Sequence, residues 1–125
     1  MSSGAVLLLV DAANVVGSRP DGWWRDRAGA AARFVARLGA LPGRGVPAVH
    51  GVLVVLEGAA RAGVPEGRDG CVDVRHAPGS GDDLLAELAG PGTLLVTADR
   101  ELRSRAQARG SDVAGPRWLW ELLDG

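Results

Sequence analysis

The chain has 125 residues, enough for one domain with a modest core, and 46% of them are apolar, which excludes a disordered segment. A formal net charge of −1 excludes the global basic field of a protein that holds nucleic acid by charge alone. All 14 basic side chains are arginine, and the single cysteine, Cys71, excludes an intrachain disulfide framework and a cysteine-rich zinc site.

The first apolar run, Ala5–Val10, is continuous and short, as in a strand buried on both faces of a parallel sheet. It is too short to cross a bilayer, and no basic segment precedes it. The expected setting is therefore soluble, reducing and cytoplasmic, with no membrane partner. The run ends at Asp11, and Asn14 follows three residues later. Trp24, Ala28, Ala31, Phe34, Val35 and Leu38 then recur at helical spacing, with Asp21 as the expected N-cap and Pro42 beyond the end. Gly51–Leu56 is a second buried strand, ending at Glu57. The stretch from Ala59 to Gly70 reads as a loop with a short helical turn, Cys71 as a small apolar filler, and Val72–Arg75 as a shorter strand. The stretch APGSGDDLLAEL turns through glycines into a helix that opens on Asp82 and Asp83 and runs to about Leu88. Thr93–Thr97 is a further strand, followed by Asp99. Arg100–Arg109 is a helix closed by Gly110, and Asp112–Val113 a short last strand. Gly115 and Pro116 start a final helix that packs through Trp118, Leu119, Leu122 and Leu123. This alternation predicts one α/β domain over residues 1–125, with helices around a mostly parallel sheet.

The acids fall where strands end. Asp11, Glu57, Asp82, Asp83 and Asp99 each follow a nearly acid-free run, and in an open parallel sheet those ends line one edge. Two carboxylates about 4 Å apart repel by roughly 4 kcal/mol at an effective dielectric near 20. A helix N-terminus returns only about 0.3–1 kcal/mol per acid. Capping therefore accounts for one of the paired aspartates and for Asp99, but not for a convergence of three or four. A cation resolves the conflict, and oxygen ligands without thiol or paired imidazole point to one or two ions of Mg²⁺ or Mn²⁺ rather than zinc. Asn14 either orients a metal-bound water or a phosphate, or makes an Asx turn. Glu87, four residues after Asp83, is either an added ligand or a solvated helix residue.

The segments VDAANVVG, APGSGDDLLAEL and VTADRELRSRAQARG, in this order, resemble the NYN branch of the PIN-like nuclease superfamily, nearest its YacP-like type. The resemblance implies a three-layer α/β/α sandwich and metal-dependent cleavage of RNA at an acidic site. It assigns catalysis and metal binding to Asp11, Asp83 and Asp99, with Asp82, Glu87 and Glu57 as further candidate ligands, and matches Asn14 to the family asparagine. One position departs: Arg103 stands where many such domains carry another acid, which leaves a single metal or a weak second one.

On this reading Asn14, Arg19, Arg100 and Arg103 contact the RNA backbone, and the segment GSRPDG after Asn14 lies beside the site. Trp23 and Trp24 are neighbours, so at most one faces the core fully; the other stacks on a base, covers a partner surface or, as the favoured reading, packs half-exposed against the body. A homodimer is left open. The competing reading is a catalytically silent PIN-like module that binds RNA or protein, which the arginine at position 103 favours. A phosphotransferase fold with Asp11 as nucleophile is disfavoured, because Ala13 stands where a dehalogenase-type site needs a second acid and the chain has no lysine for a receiver-type site.

Overall fold

The computed structural model describes residues 5–44 and 48–125. Strand β1 (Val6–Asp11) lies near the middle of a six-stranded sheet; the others are β2 (Val49–Leu56), β3 (Gly67–Asp69), β4 (Val72–His76), β5 (Thr93–Val96) and β6 (Asp112–Ala114), in the order β3-β4-β2-β1-β5-β6. All neighbours are parallel except the hairpin of β3 on β4. The chain moves outward from β1 to β4 on one side, then crosses back to place β5 and β6 on the other. The direction of winding thus switches between β1 and β5, the place where parallel sheets open a crevice at their carboxyl edge.

Leu8, Leu9 and Val10 are fully buried, because helices cover both faces of the sheet. On one face Leu8, Val10, Val54 and Leu56 pack against Val15 of α1 (Ala12–Gly17), Phe34 and Leu38 of α2 (Arg27–Leu38) and Leu119 of α5 (Pro116–Asp124). On the other, Leu9, Leu53, Val55 and Leu95 pack against Leu85 and Ala86 of α3 (Asp82–Leu88) and Leu102 and Ala106 of α4 (Arg100–Ala108). The result is the expected three-layer α/β/α sandwich.

Several local expectations are corrected. The residues after Asp11 form a full helix, α1, rather than a turn, because the Asp11 carboxylate accepts the Asn14 N–H as an N-cap. Asp26, not Asp21, caps α2, accepting the Gly29 N–H at 2.9 Å. Trp24 therefore falls before the helix, in a 3₁₀ turn at Trp23–Arg25, and is 50% exposed. Cys71 is exposed rather than a core filler, because it follows the tight turn at Gly70, whose φ of 61° is left-handed. The stretch after Ala59 holds the expected helical turn, a 3₁₀ turn at Gly58–Gly63, but continues into the edge strand β3 instead of staying a loop. Trp120 is a main anchor of α5: its ring lies 5.4 Å from Phe34, and its indole N–H donates to the Ser18 Oγ at 3.0 Å and the Val15 carbonyl at 3.2 Å.

The 3₁₀ turn sits so tightly on α2 that a Cβ at Gly63 would lie 2.0 Å from the Ala28 carbonyl oxygen, a backbone atom that cannot step aside. Gly63→Ala is expected to cost at least about 1–3 kcal/mol, read as a lower urea midpoint. Gly79→Ala, where a Cβ meets nothing within 4 Å, should stay within about 0.5 kcal/mol. Equal midpoints for the two variants would refute this packing.

Candidate functional site

Strand register decides what meets Asp11. Val10 pairs with Val96 and Asp11 with Val55, so Asp11 stands level with Thr97 on one side and near Glu57 on the other. Asp11 is only 6% exposed and Thr97 is fully buried. The Thr97 hydroxyl donates to Asp11 Oδ2 at 2.9 Å, and the Asn14 N–H donates to Oδ1 at 3.3 Å. A second link runs beside the first: the Ala98 N–H donates to Asn14 Oδ1 at 2.8 Å, which fixes the orientation of that amide and turns its NH₂ outward with no protein partner among the described residues. The loop after β5 is thus held to the β1–α1 junction by two hydrogen bonds across the switch point.

Asp99 caps α4 by accepting the Leu102 N–H on Oδ1 at 3.0 Å, while its own N–H donates to the Thr97 hydroxyl at 3.1 Å. Glu57 is half-buried and accepts the Gly81 N–H at 3.3 Å, tying the end of β2 to the turn before α3. That turn passes close to the sheet: a Cβ at Gly81 would come 3.1 Å from Val55, so a larger residue would push α3 outward. Gly79, in the same turn, faces open space.

The paired aspartates are placed the other way round from the expectation. Asp83 is 92% exposed at its side chain and pairs with Arg105 of α4 at 3.0 Å, outside the cluster. Its neighbour Asp82, about 100° further around the helix, feels the charge of Asp99 and is felt by Asp11. Asp82 makes no capping bond; its N–H is met by the Ser80 hydroxyl at 3.2 Å. Glu87 is exposed in the last turn of α3, at the end far from the edge.

Among the arginines, Arg100 and Arg103 lie in the first turns of α4 beside the site, and their side chains make no hydrogen bond or ion pair among the described residues, so both guanidinium groups are available to a phosphate. Arg19 is engaged elsewhere, stacked 4.0 Å from the Trp120 ring and paired with Asp124. His76, the last residue of β4, donates from Nε2 to the Val64 carbonyl at 2.7 Å.

The electrostatics follow from burial. Desolvation is the largest effect on Asp11 and raises its pKa from 3.8 to about 6, with the charges of Asp82 and Glu57 adding to the rise and the bonds from Thr97 and Asn14 opposing it. Asp82 is also raised, by desolvation first and then by Asp99. An all-carboxylate donor set fits a hard divalent cation in its chemistry. Among the described residues no three acidic, imidazole or thiol groups stand close enough together to hold one ion, so the set is not closed in advance. Thr97, Glu57 as a partner of the α3 turn, and the Asp82 orientation carried no sequence signal of their own. Thr97 was legible only as the last residue of a strand.

No protein-family model matches the chain. A 35-residue segment, 28% of this chain and 23% of the other, is 51% identical to a UPF0178 protein of Rhodopseudomonas palustris (strain BisB18). The chain thus spans under a quarter of that relative in the matched region. The fold is similar to the crystal structure of Rae1 (YacP) from Bacillus subtilis (W164L mutant), with a TM-score of 0.69 over 95% of this chain and 75% of that one, at 16% identity. The likeness shows the fold alone: the two chains share the three-layer α/β/α architecture. Among the described residues no helix is long and apolar enough to cross a membrane.

Because the folded pKa of Asp11 lies above its unfolded value, the native state holds the proton more tightly. Its contribution is fully present below pH 4 and is lost as pH rises through 6, a loss of about 3 kcal/mol for a shift of this size. Asp11→Asn does not titrate, so its stability relative to the native chain should rise by about that amount between pH 4 and pH 7.5 in metal-free urea melts. A difference that stays constant with pH would show that Asp11 is not strained by its burial.

Proposed function

We propose that the chain is a metal-dependent ribonuclease that hydrolyses RNA phosphodiester bonds at the carboxyl edge of its sheet. The observation that carries this reading is the buried Asp11 at the β1/β5 switch point, raised toward neutrality by burial and by Asp82 and Glu57. A carboxylate in such a place is poised to take a cation or a proton, and strongly perturbed acids cluster at functional sites. The fold likeness to the YacP structure and the ordered motifs of the YacP-like type support the same reading from two directions.

In this proposal Asp11, Asp82 and Asp99 would hold Mg²⁺ or Mn²⁺, with Glu57 beside them, and Asp83 and Glu87 are released from the role that the resemblance gives them. The ion would supply Lewis-acid stabilisation of the phosphate and an acidified water. The rest falls to the chain itself. Thr97 and the α1 N–H hold Asp11 in one orientation. The outward NH₂ of Asn14 is placed to donate to a phosphate oxygen. Arg100 and Arg103, unpaired at the start of α4, offset the acidic edge so that a polyanion can approach, Arg103 taking a phosphate rather than a metal.

The second reading, a silent module that binds RNA or protein, is favoured by the absence of three converging acids among the described residues. Turnover separates the two. With Mn²⁺ or Mg²⁺ and labelled single-stranded RNA, Asp11→Asn, Asp82→Asn and Asp99→Asn are each expected to lower the cleavage rate about 100-fold or more, whereas Asp83→Asn stays within about threefold. Cleavage that persists in EDTA, or that survives Asp82→Asn, would sink the assignment. RNA binding with no turnover under any divalent ion would select the silent module.

A further inference from the structure

On the other side of Asp11 from α3, a cleft of about 320 Å³ opens between α1, α2 and the 3₁₀ turn after β2. Its floor and sides are small, with Ala12, Val16 and Ala60 among them, and its polar groups are few: the indole of Trp23, the guanidinium of Arg27 and the carboxylate of Glu57. Two features set it apart from packing defects. Arg27 and Glu57 carry opposite charges in one half-enclosed space and form no ion pair with each other. Arg27 instead lies 5.3 Å from the centre of the Trp23 ring, and Glu57 meets only the Gly81 N–H. In addition, Trp24 stands edge-on to Trp23 at 5.9 Å and presents a half-exposed face to solvent.

We propose that this cleft is a nucleobase pocket, and that it selects guanine. The size is at the low end of small-molecule sites and suits one flat heterocycle. A flat ring can be covered by the Trp23 indole, one of the surfaces on which unstacked RNA bases settle, which leaves the Arg27 guanidinium to meet its edge. The charges choose among the bases. A carboxylate accepts two hydrogen bonds side by side, and guanine is the one standard base whose Watson–Crick edge offers two adjacent donors, N1–H and the N2 amine. Its opposite edge carries O6 and N7, acceptors that match an arginine. The exposed Trp24 face then offers a stack for the neighbouring base. Glu57 joins the pocket to the acid cluster, so a guanine seated here fixes the register of the strand against Asp11. The RNA substrate rests on the ribonuclease reading; the pocket itself does not.

The test therefore uses free nucleotides and no divalent ion. Of the four tryptophan indole N–H signals, that of Trp23 is identified by its loss in Trp23→Phe. Titration of the full chain with GMP is expected to move that signal, with binding at least 10-fold tighter than for AMP, CMP or UMP, and with IMP, which lacks the N2 amine, weaker than GMP. Glu57→Gln should erase the preference by about 10- to 100-fold, the factor carried by hydrogen bonds to a charged group. Arg27→Gln, on the exposed first turn of α2, should weaken GMP without changing the melting temperature. An unmoved Trp23 signal, equal affinity for all four nucleotides, or an unchanged preference in Glu57→Gln would overturn the pocket. A chain that cleaves RNA while GMP leaves Trp23 unmoved keeps the nuclease and loses the pocket; one that binds GMP and cleaves nothing does the reverse.

Discussion

The hydrogen bond from the Thr97 hydroxyl to the Asp11 carboxylate is the interaction on which the edge of this sheet is organised. It lies where the winding of the sheet reverses, so no crossover helix bridges the two strands directly, and side chains must close the gap. Thr97 meets Asp11 from one strand end while α1 meets it from below through the Asn14 N–H. The same hydroxyl accepts the Asp99 N–H, and the Asn14 amide accepts the Ala98 N–H. One carboxylate, one hydroxyl and one amide thus align two loops and start two helices.

This arrangement has an electrostatic consequence. Asp11 is satisfied by hydrogen bonds but not neutralised, and it sits among other acids with little water around it. The pKa near 6 expresses the conflict between desolvation and like charge on one side and two donors on the other. A protein that wanted only caps and turns here would be served equally well by serine or asparagine, which carry no such penalty. The acids stand at the ends of separate strand connections, each on its own element, rather than along one solvated helix face.

The two sides of that edge differ in character. Toward α3 and α4 lie Asp82, Asp99, and Arg100 and Arg103, whose side chains have no partner among the described residues. Toward α1 and α2 lies the cleft with its indole, its guanidinium and its small apolar walls. Two other arginines serve structure: Arg19 and Arg37 hold Asp124 and flank Trp120, locking α5 over α1 and α2.

Much of the fold was readable from the chain because burial on both faces leaves an unmistakable mark. The runs Ala5–Val10, Gly51–Leu56 and Thr93–Thr97 are short, apolar and ended by acids, and they became β1, most of β2 and β5 with Thr97 just beyond it. Helix starts were less legible, because several aspartates precede α2 and only the geometry of the Trp23–Arg25 turn chose Asp26 over Asp21. What sequence alone determined is that acids stand at strand ends and therefore share one edge, since the period of the strands and the parallel order require it. Which of two adjacent aspartates looks inward was not in the sequence. Neighbours on a helix differ by about 100° in direction, and only the docking of α3, set by Gly81 against Val55 and by Arg105 against Asp83, turned Asp82 toward Asp11 and left Asp83 in solvent.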